Sequence, residues 1–207
     1  MRSLFSTDSP FFQKLSIFSE LVFLNLLTIL CSVPIITIGA SATALFYTAE
    51  KLRKGESGSL KTFFHAFKEN FKQATIIWIV LLAIGLLICF AILLYLQMNM
   101  PILVGCSVLA LIIWGAVTSW VFPLLSKFYS TTWAACKNAI LCGTNFLPLS
   151  LAMSIVNLVP LALFLFVPGI FIRLIPLWLF IWFALAAYCN AGLLNGPFST
   201  IIPTDPS

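Results

Sequence analysis

The chain has 207 residues, of which 61% are hydrophobic and 8% are charged, and its mean hydropathy is +1.10. Soluble domains contain roughly 25% charged residues, so this composition excludes an ordinary water-soluble domain. No charged side chain occurs at 73–126, 138–172 or 174–204. Such stretches are typical of helices that cross a lipid bilayer, and they predict an all-α, polytopic transmembrane helical bundle of about five spans that forms one membrane domain over 1–207.

The first apolar segment, 17–38, is predicted to be a span that is interrupted by Pro34 and Gly39. It continues as a helix at 40–54, which we expect at the cytoplasmic surface. Ala40-Ser41-Ala42 resembles a signal-peptide cleavage site, but the region before the span is long and only weakly basic, so we expect the segment to be retained. If the chain instead turned back at the interruption as a re-entrant loop, the N-terminus would be cytoplasmic.

The stretch 60–73 has the pattern of an amphipathic helix in the membrane interface. Lysines and the lone histidine occupy much of one side, and apolar residues at helical spacing form the other: Leu60, Phe64, Phe67, Phe71 and Ala74. Such a helix lies in the interface or packs an aromatic face against a partner. We predict that Phe67 and Phe71 pack against this protein's own helices or a partner's, the alternative being that every ring lies in lipid.

The rest of the chain repeats this organisation. Further spans are predicted at 74–96, 102–125, 147–167 and 171–194, with a weaker interfacial helix at 130–145 and a short, proline-rich tail at 195–207. The short similarity between 66–70 and 135–139 suggests a parallel repeat, in which an interfacial helix precedes a transmembrane hairpin. The identities are few, and apolar segments match easily by chance.

Basic residues set the predicted orientation. More than half of the 11 lysines and arginines lie at 51–72, and the later loop at 127–146 is also basic, whereas the turns at 97–101 and 168–170 carry no charge. The positive-inside rule therefore places the basic loops and the C-terminus in the cytoplasm and, with five crossings, the N-terminus outside. Because apolar spans flank the basic cluster, we expect the lipid bilayer as partner and no nucleic acid.

Side chains that carry chemistry are sparse. His65 is the only histidine, the six cysteines form no C-x-x-C pair, and the sequence contains no zinc-protease motif or phosphate-binding glycine loop. We therefore expect no enzyme activity, no metal and no cofactor. Asn25, Asn157 and Asn190 fall within predicted spans, where an amide needs a hydrogen-bond partner on another helix or a wet cavity.

Several runs of sequence resemble the YesL-like family of bacterial integral membrane proteins, a domain of unknown function. The resemblance covers almost the whole chain, and its most specific elements are P-x-x-T-x-G at Pro34–Gly39 and F-K-x-N-F-K-Q at Phe67–Gln73. Positions to watch follow from these elements and from the aromatic face: Asn25, Pro34, Thr37, Gly39, Phe67, Asn70 and Phe71. A broken helix at Pro34–Gly39 either exposes free backbone groups to a ligand or simply bends the span.

Genes of the YesL-like family often lie beside those of carbohydrate ABC importers. The resemblance therefore implies a non-enzymatic accessory subunit of an oligosaccharide ABC importer in the bacterial cell membrane, with the importer's permease subunits as partners. The alternative is a stand-alone carrier or channel for small solutes, which the broken first span and the suggested repeat would suit. The few polar groups within the spans form a thin lining for a sugar path.

Overall fold

The computed structural model describes residues 10–56, 60–127 and 132–194, and these residues form helices and turns with no strand. The predicted all-α fold is therefore confirmed. The helices are α1 (Pro10–Ser32), α2 (Ile38–Arg53), α3 (Leu60–Gln97), α4 (Pro101–Lys127), α5 (Thr132–Asn145), α6 (Leu147–Phe166), α7 (Pro168–Arg173), α8 (Ile175–Leu177) and α9 (Phe183–Leu193). A 3₁₀ turn (Ile35–Thr37) joins α1 to α2, and a π-helical turn (Trp178–Trp182) joins α8 to α9. The predicted tail at 195–207 lies outside the described residues.

Four helical segments in the described part of the chain are long and apolar enough to cross a membrane: Leu15–Ser32, Leu60–Gln97, Pro101–Lys127 and Ile175–Leu193. A fifth is obtained if α5 and the first half of α6 count as one span despite a bend of 107° between them. Large apolar side chains remain exposed along α3 and α4, as expected of helices that face lipid. A multi-pass membrane protein of four or five spans is thus the arrangement that the structure supports.

The predicted interfacial helix at 60–73 and the predicted span at 74–96 are one continuous helix, α3. No proline or glycine occurs between Leu60 and Ile84, so no helix-breaking residue ends the helix at the predicted boundary between Gln73 and Ala74. With 38 residues, α3 is about 57 Å long at 1.5 Å per residue. The hydrocarbon core is only about 30 Å thick, and the charged first turns of α3 can therefore stand outside it.

Helix α2 turns back along α1 instead of extending away from it. The Ser32 hydroxyl at the end of α1 bonds the Ser41 hydroxyl near the start of α2 at 2.6 Å. Leu21, earlier in α1, shares a hydrophobic cluster with Leu52 at the end of α2. The two helices are therefore antiparallel, and the 3₁₀ turn between them reverses the chain.

This reversal bears on two predictions. The segment 40–54 is predicted to be an interfacial helix, and it packs against the rest of the bundle along its length, with Ala40, Ala44 and Ala49 completely buried. Small residues along α2 allow this close packing between helices.

With five crossings, the N-terminus is predicted to lie on the opposite side of the membrane from the C-terminus. In the structure, Leu21 in α1 clusters with Leu52 at the end of α2, and Arg53 contacts Tyr188 in α9, so these parts of the three helices lie at one end of the bundle. This is the arrangement that the re-entrant alternative describes, and the side of the membrane that this end faces stays a prediction.

The second half of the chain differs from the first at its interfacial helix. Helix α5 packs on α4 and buries Ala135 and Ala139, but it leaves Trp133 80% exposed. The chain then bends at Phe146, directly before Leu147 and Pro148 begin α6. The corresponding part of the first half is the straight helix α3, so the two halves of the suggested repeat have different geometries at this point.

The aromatic residues at the start of α3 are unequally buried. Phe63, which lies outside the predicted apolar face, is completely buried and anchors α3 against α1 and α2. Phe67 is half-buried. As predicted, it packs against other helices, both at the cluster that contains Leu21 and Leu52 and at a second buried cluster that contains Trp120 and Met153. Phe71 is 39% exposed and its ring lies 5.4 Å from that of Phe67. The buried face of α3 is thus rotated toward Phe63 and Ala66.

Replacing Phe67 by Leu is expected to lower thermal stability more than replacing Phe71 by Leu. The Phe67 ring contacts those of Phe63, Phe64 and Phe71, with centroids 6.3, 6.4 and 5.4 Å away, and each aromatic pair contributes about 0.5–1.5 kcal/mol. Leucine keeps the membrane affinity nearly unchanged. Melting temperatures of the two variants in the same detergent would test this, and equal values would contradict it.

Candidate functional site

Asn25 connects α1 to the π-helical turn before α9. Its buried side-chain amide donates to the carbonyl oxygens of Trp178 (3.0 Å) and Leu179 (2.7 Å), and its Oδ1 accepts from the backbone N–H of Ala184 (2.9 Å). A π turn changes the hydrogen-bond register of a helix, so some backbone groups lose their usual α-helical partners. The Asn25 side chain bonds backbone groups in and directly after this turn. Asn25 therefore holds two elements together, which is the hydrogen-bonding role expected of an amide inside a span.

The P-x-x-T-x-G element forms the reversal between α1 and α2. The Thr37 hydroxyl lies 2.6 Å from the carbonyl oxygens of both Cys31 and Pro34, and its backbone N–H donates to the latter at 2.9 Å. The indole of Trp78 on α3 donates to the Ile35 carbonyl at 2.8 Å. Backbone groups released by the break are thus bonded within the protein, so the element acts here as a turn.

Gly39 allows α2 to touch α3. A Cβ at this position would overlap the carbonyl oxygen of Ala74 and would lie 2.6 Å from the Cβ of Trp78. Glycine is required here because the two backbones approach closely. The sequence identified the position but assigned it to the bend, whereas the structure shows that it belongs to a helix crossing.

The structure does not bring all the predicted site residues together. Asn25, Pro34, Thr37 and Gly39 all belong to the α1–α2 hairpin and its contacts with neighbouring helices. Phe67, Asn70 and Phe71 lie on the first turns of α3, where the Asn70 amide donates to Ala66 of its own helix at 3.1 Å. These residues therefore form two separate regions, and neither has the arrangement of a catalytic site.

A cavity of about 670 Å³ lies between the α1–α2 hairpin, α3, α4, α6 and the segment before and within α9. We call it the aromatic cavity, because six aromatic side chains line it: Phe46, Trp78, Trp114, Phe122, Trp182 and Phe183. Three lining residues, Val33, Asn157 and Phe183, are exposed, so the cavity reaches the surface of the bundle. Sequence reasoning missed it, since its walls come from five distant parts of the chain.

The polar part of the lining is mostly hydroxyl oxygen. The hydroxyl of Thr28 donates to the Leu24 carbonyl at 2.7 Å, and those of Thr118 and Ser119 both donate to the Gly115 carbonyl at 2.9 Å. A hydroxyl has one proton and two acceptor lone pairs. Because these protons are already used within the helices, the hydroxyl oxygens remain as hydrogen-bond acceptors.

One end of the aromatic cavity adjoins a chain of hydrogen bonds across three helices. Asn190 on α9 donates to Asn157 on α6 at 3.2 Å, and Asn157 donates to Ser119 on α4 at 3.4 Å. The interhelical bonds predicted for these asparagines are therefore present. Ser119 and Ser154 add a contact at 3.2 Å, and the buried Oδ1 of Asn190 has no hydrogen-bond partner among the described residues.

The charged groups of α2, α3 and α4 lie at the basic end of the bundle, away from the aromatic cavity. Glu50 on α2 approaches Lys127 on α4 at 3.0 Å and Lys54 at 3.1 Å, which links the two helices. A hydrogen bond to Glu56 is the main reason that the pKa of Lys51 is raised. No group of three potential metal ligands forms within 10–56, 60–127 and 132–194.

Comparison with known proteins gives one family. No curated protein and no solved structure matches the chain. Residues 21–92 match the sequence model of DUF624, described as a protein of unknown function. This region contains Asn25, the reversal at Pro34–Gly39, all of α2 and most of α3. Over residues 21–92 the chain is therefore similar to DUF624, a family whose function is unknown.

Proposed function

We propose that the protein is a non-enzymatic accessory subunit of a carbohydrate ABC importer in the bacterial cell membrane. The proposal rests on the resemblance to the YesL-like family, for which oligosaccharide importer permeases are the implied partners. In the orientation that the positive-inside rule predicts, the basic end of α2, the basic start of α3 and the C-terminal end of α9 face the cytoplasm. Because α1 and α2 are antiparallel, this proposed orientation has the start of α1 on the cytoplasmic side as well.

The observation that carries the proposal is the surface of α5. Ala135, Ala139 and Cys142 face the bundle, whereas Trp133 and Ile140 are exposed beside the charged Lys137. Aromatic residues are enriched at protein–protein interfaces, and Trp is among the residues that contribute most to binding there. Helix α5 also begins shortly after Lys127 in the chain, at the basic end that would meet the cytoplasmic part of a permease.

The aromatic cavity supports a docking role over independent sugar transport. A sugar path needs many hydrogen-bonding groups to replace water around the hydroxyls of the solute. In this cavity, most of the lining is aromatic or aliphatic, and the hydroxyl protons of Thr28, Thr118 and Ser119 are already used. The alternative function, a stand-alone carrier of small solutes, is therefore better suited to apolar solutes than to sugars.

Co-purification with the importer permeases in mild detergent tests the proposal. We expect a tagged protein to recover the permeases, and we expect Trp133→Ala to reduce that recovery without lowering the melting temperature. Ile102→Ala is the matched control, because Ile102 is 81% exposed at the start of α4, at the opposite end of the bundle. A protein that is consistently recovered alone, or that transports a sugar by itself in liposomes, would contradict an accessory role.

A further inference from the structure

The aromatic cavity has the features of a ligand site, and this inference is independent of the proposed importer role. Its volume of about 670 Å³ is in the range of roughly 300–1,000 Å³ that small-molecule sites occupy. Its lining is mainly apolar with a few convergent polar groups, which is also typical of such sites. The remaining question is which class of molecule its chemistry would recognise.

The first constraint is charge. Among the residues that the structure describes, no Asp, Glu, Lys, Arg or His lines the aromatic cavity, and its walls belong to stretches that carry no charge over most of their length. A charged group in such surroundings needs an opposite charge or extensive hydration. The lining therefore has no partner for a phosphate inside the cavity, and it favours a ligand that is neutral there.

The second constraint is whether the polar lining donates or accepts hydrogen bonds. Thr28 and Thr118 present hydroxyl oxygens whose protons are already donated to carbonyls of their own helices. The indoles of Trp78 and Trp114 likewise donate their N–H groups to the Ile35 and Leu81 carbonyls, so their rings offer apolar surface to the cavity. At Thr28 and Thr118 the lining therefore offers acceptors to which a ligand can donate a hydrogen bond, whereas the amide of Asn157, which also lines the cavity, can donate as well as accept.

The third constraint is access. Val33 and Phe183 line the aromatic cavity and are exposed on the outer surface of the bundle. The adjoining surface of α1 exposes Leu26 and Leu30, which indicates contact with lipid. A molecule that is dissolved in the bilayer can therefore enter from the side without passing through water.

We propose that the aromatic cavity binds a neutral membrane amphiphile, with its apolar chain between the aromatic walls and a hydroxyl group donating to the side-chain oxygen of Thr28 or Thr118. The rings supply the apolar contact area, and the two threonines discriminate a free hydroxyl from an esterified one. Phosphatidylcholine has comparable acyl chains, but it carries a charged phosphate and lacks a hydroxyl donor, so it should bind more weakly.

Quenching of tryptophan fluorescence by brominated lipids tests the proposal, because Trp78, Trp114 and Trp182 line the cavity. The full-length protein would be reconstituted in phosphatidylcholine vesicles with the exposed Trp133 replaced by Phe, which removes a reporter of bulk lipid. Dibrominated diacylglycerol is the probe, and phosphatidylcholine with the same dibrominated chains is the comparison. We expect saturable quenching by the diacylglycerol beyond that given by the phospholipid at equal bromine content.

Variants separate recognition from general lipid contact. The double variant Thr28→Val and Thr118→Val keeps the side-chain shape and removes the acceptors, and we expect roughly five- to thirtyfold weaker binding. Thr144→Val is the matched control, since that threonine donates to its own helix α5 and is exposed outside the cavity. Ala186→Leu, which fills part of the cavity, should reduce quenching whether or not the double variant folds well.

Three outcomes would overturn the proposal. Quenching that is equal for the two lipids would show that the chains enter without recognition of a hydroxyl. Quenching without saturation would show bulk contact only. Saturable quenching that neither Ala186→Leu nor the threonine variants weaken would place the ligand elsewhere.

Discussion

Replacing Asn25 by Leu is expected to lower the free energy of unfolding by about 2–4 kcal/mol. The substitution leaves the N–H of Ala184 and the carbonyls of Trp178 and Leu179 without their side-chain partner. A buried group left unpaired costs about 1–3 kcal/mol. The total is smaller than a simple sum, because the π turn can relax toward α-helical bonding and membrane hydrogen bonds contribute only about 0.6 kcal/mol each on average.

Unfolding in a series of mixed micelles with increasing denaturing detergent would measure this effect. Asn70→Leu is the matched control, because Asn70 makes one local bond to Ala66 in its own helix and should cost less than about 1 kcal/mol. If Asn25→Leu were no more destabilising than Asn70→Leu, the bridge between α1 and the π turn would not contribute to stability, and the role assigned to Asn25 would be wrong.

Replacing Gly39 by Ala is expected to destabilise the protein by about 1–3 kcal/mol, the usual cost of overpacking. The added methyl group would meet the Ala74 carbonyl oxygen and the Cβ of Trp78. Neither atom is the end of a flexible side chain, so α2 and α3 would have to move apart. The melting temperature should fall, and the fluorescence of Trp78 should change, because its hydrogen bond to Ile35 depends on the same helix crossing.

Gly105→Ala provides the matched control in α4, where nothing lies within 4 Å of the added Cβ. Alanine is favoured over glycine within a helix by roughly 0.5–1 kcal/mol, so this variant should be as stable as the parent or slightly more stable. Equal melting temperatures for the two alanine variants would show that α2 and α3 are not in the close contact described above.

The candidate positions from Asn25 to Phe71 were identified from the sequence, but their roles depended on which residues they contact in the folded protein. The element at Pro34–Gly39 was recognisable because proline and glycine limit which backbone conformations are possible. Whether the chain then bends or reverses depends on the contacts between Ser32 and Ser41 and between Gly39 and α3. Phe63 was missed for a related reason, since the buried face of α3 follows the position of α1 and α2 rather than the strongest apolar spacing.

The sequence by itself determined that the protein lies in a lipid bilayer, that it is all-α, and approximately where its apolar helices begin and end. These properties follow from the absence of charge over 73–126 and the later stretches, because each residue's transfer into lipid is a local property. The tertiary structure decided the direction of α2, the bend at Phe146, the burial of Phe63 and the aromatic cavity. Each of these depends on contacts between residues far apart in the chain, which hydropathy and helical spacing do not encode.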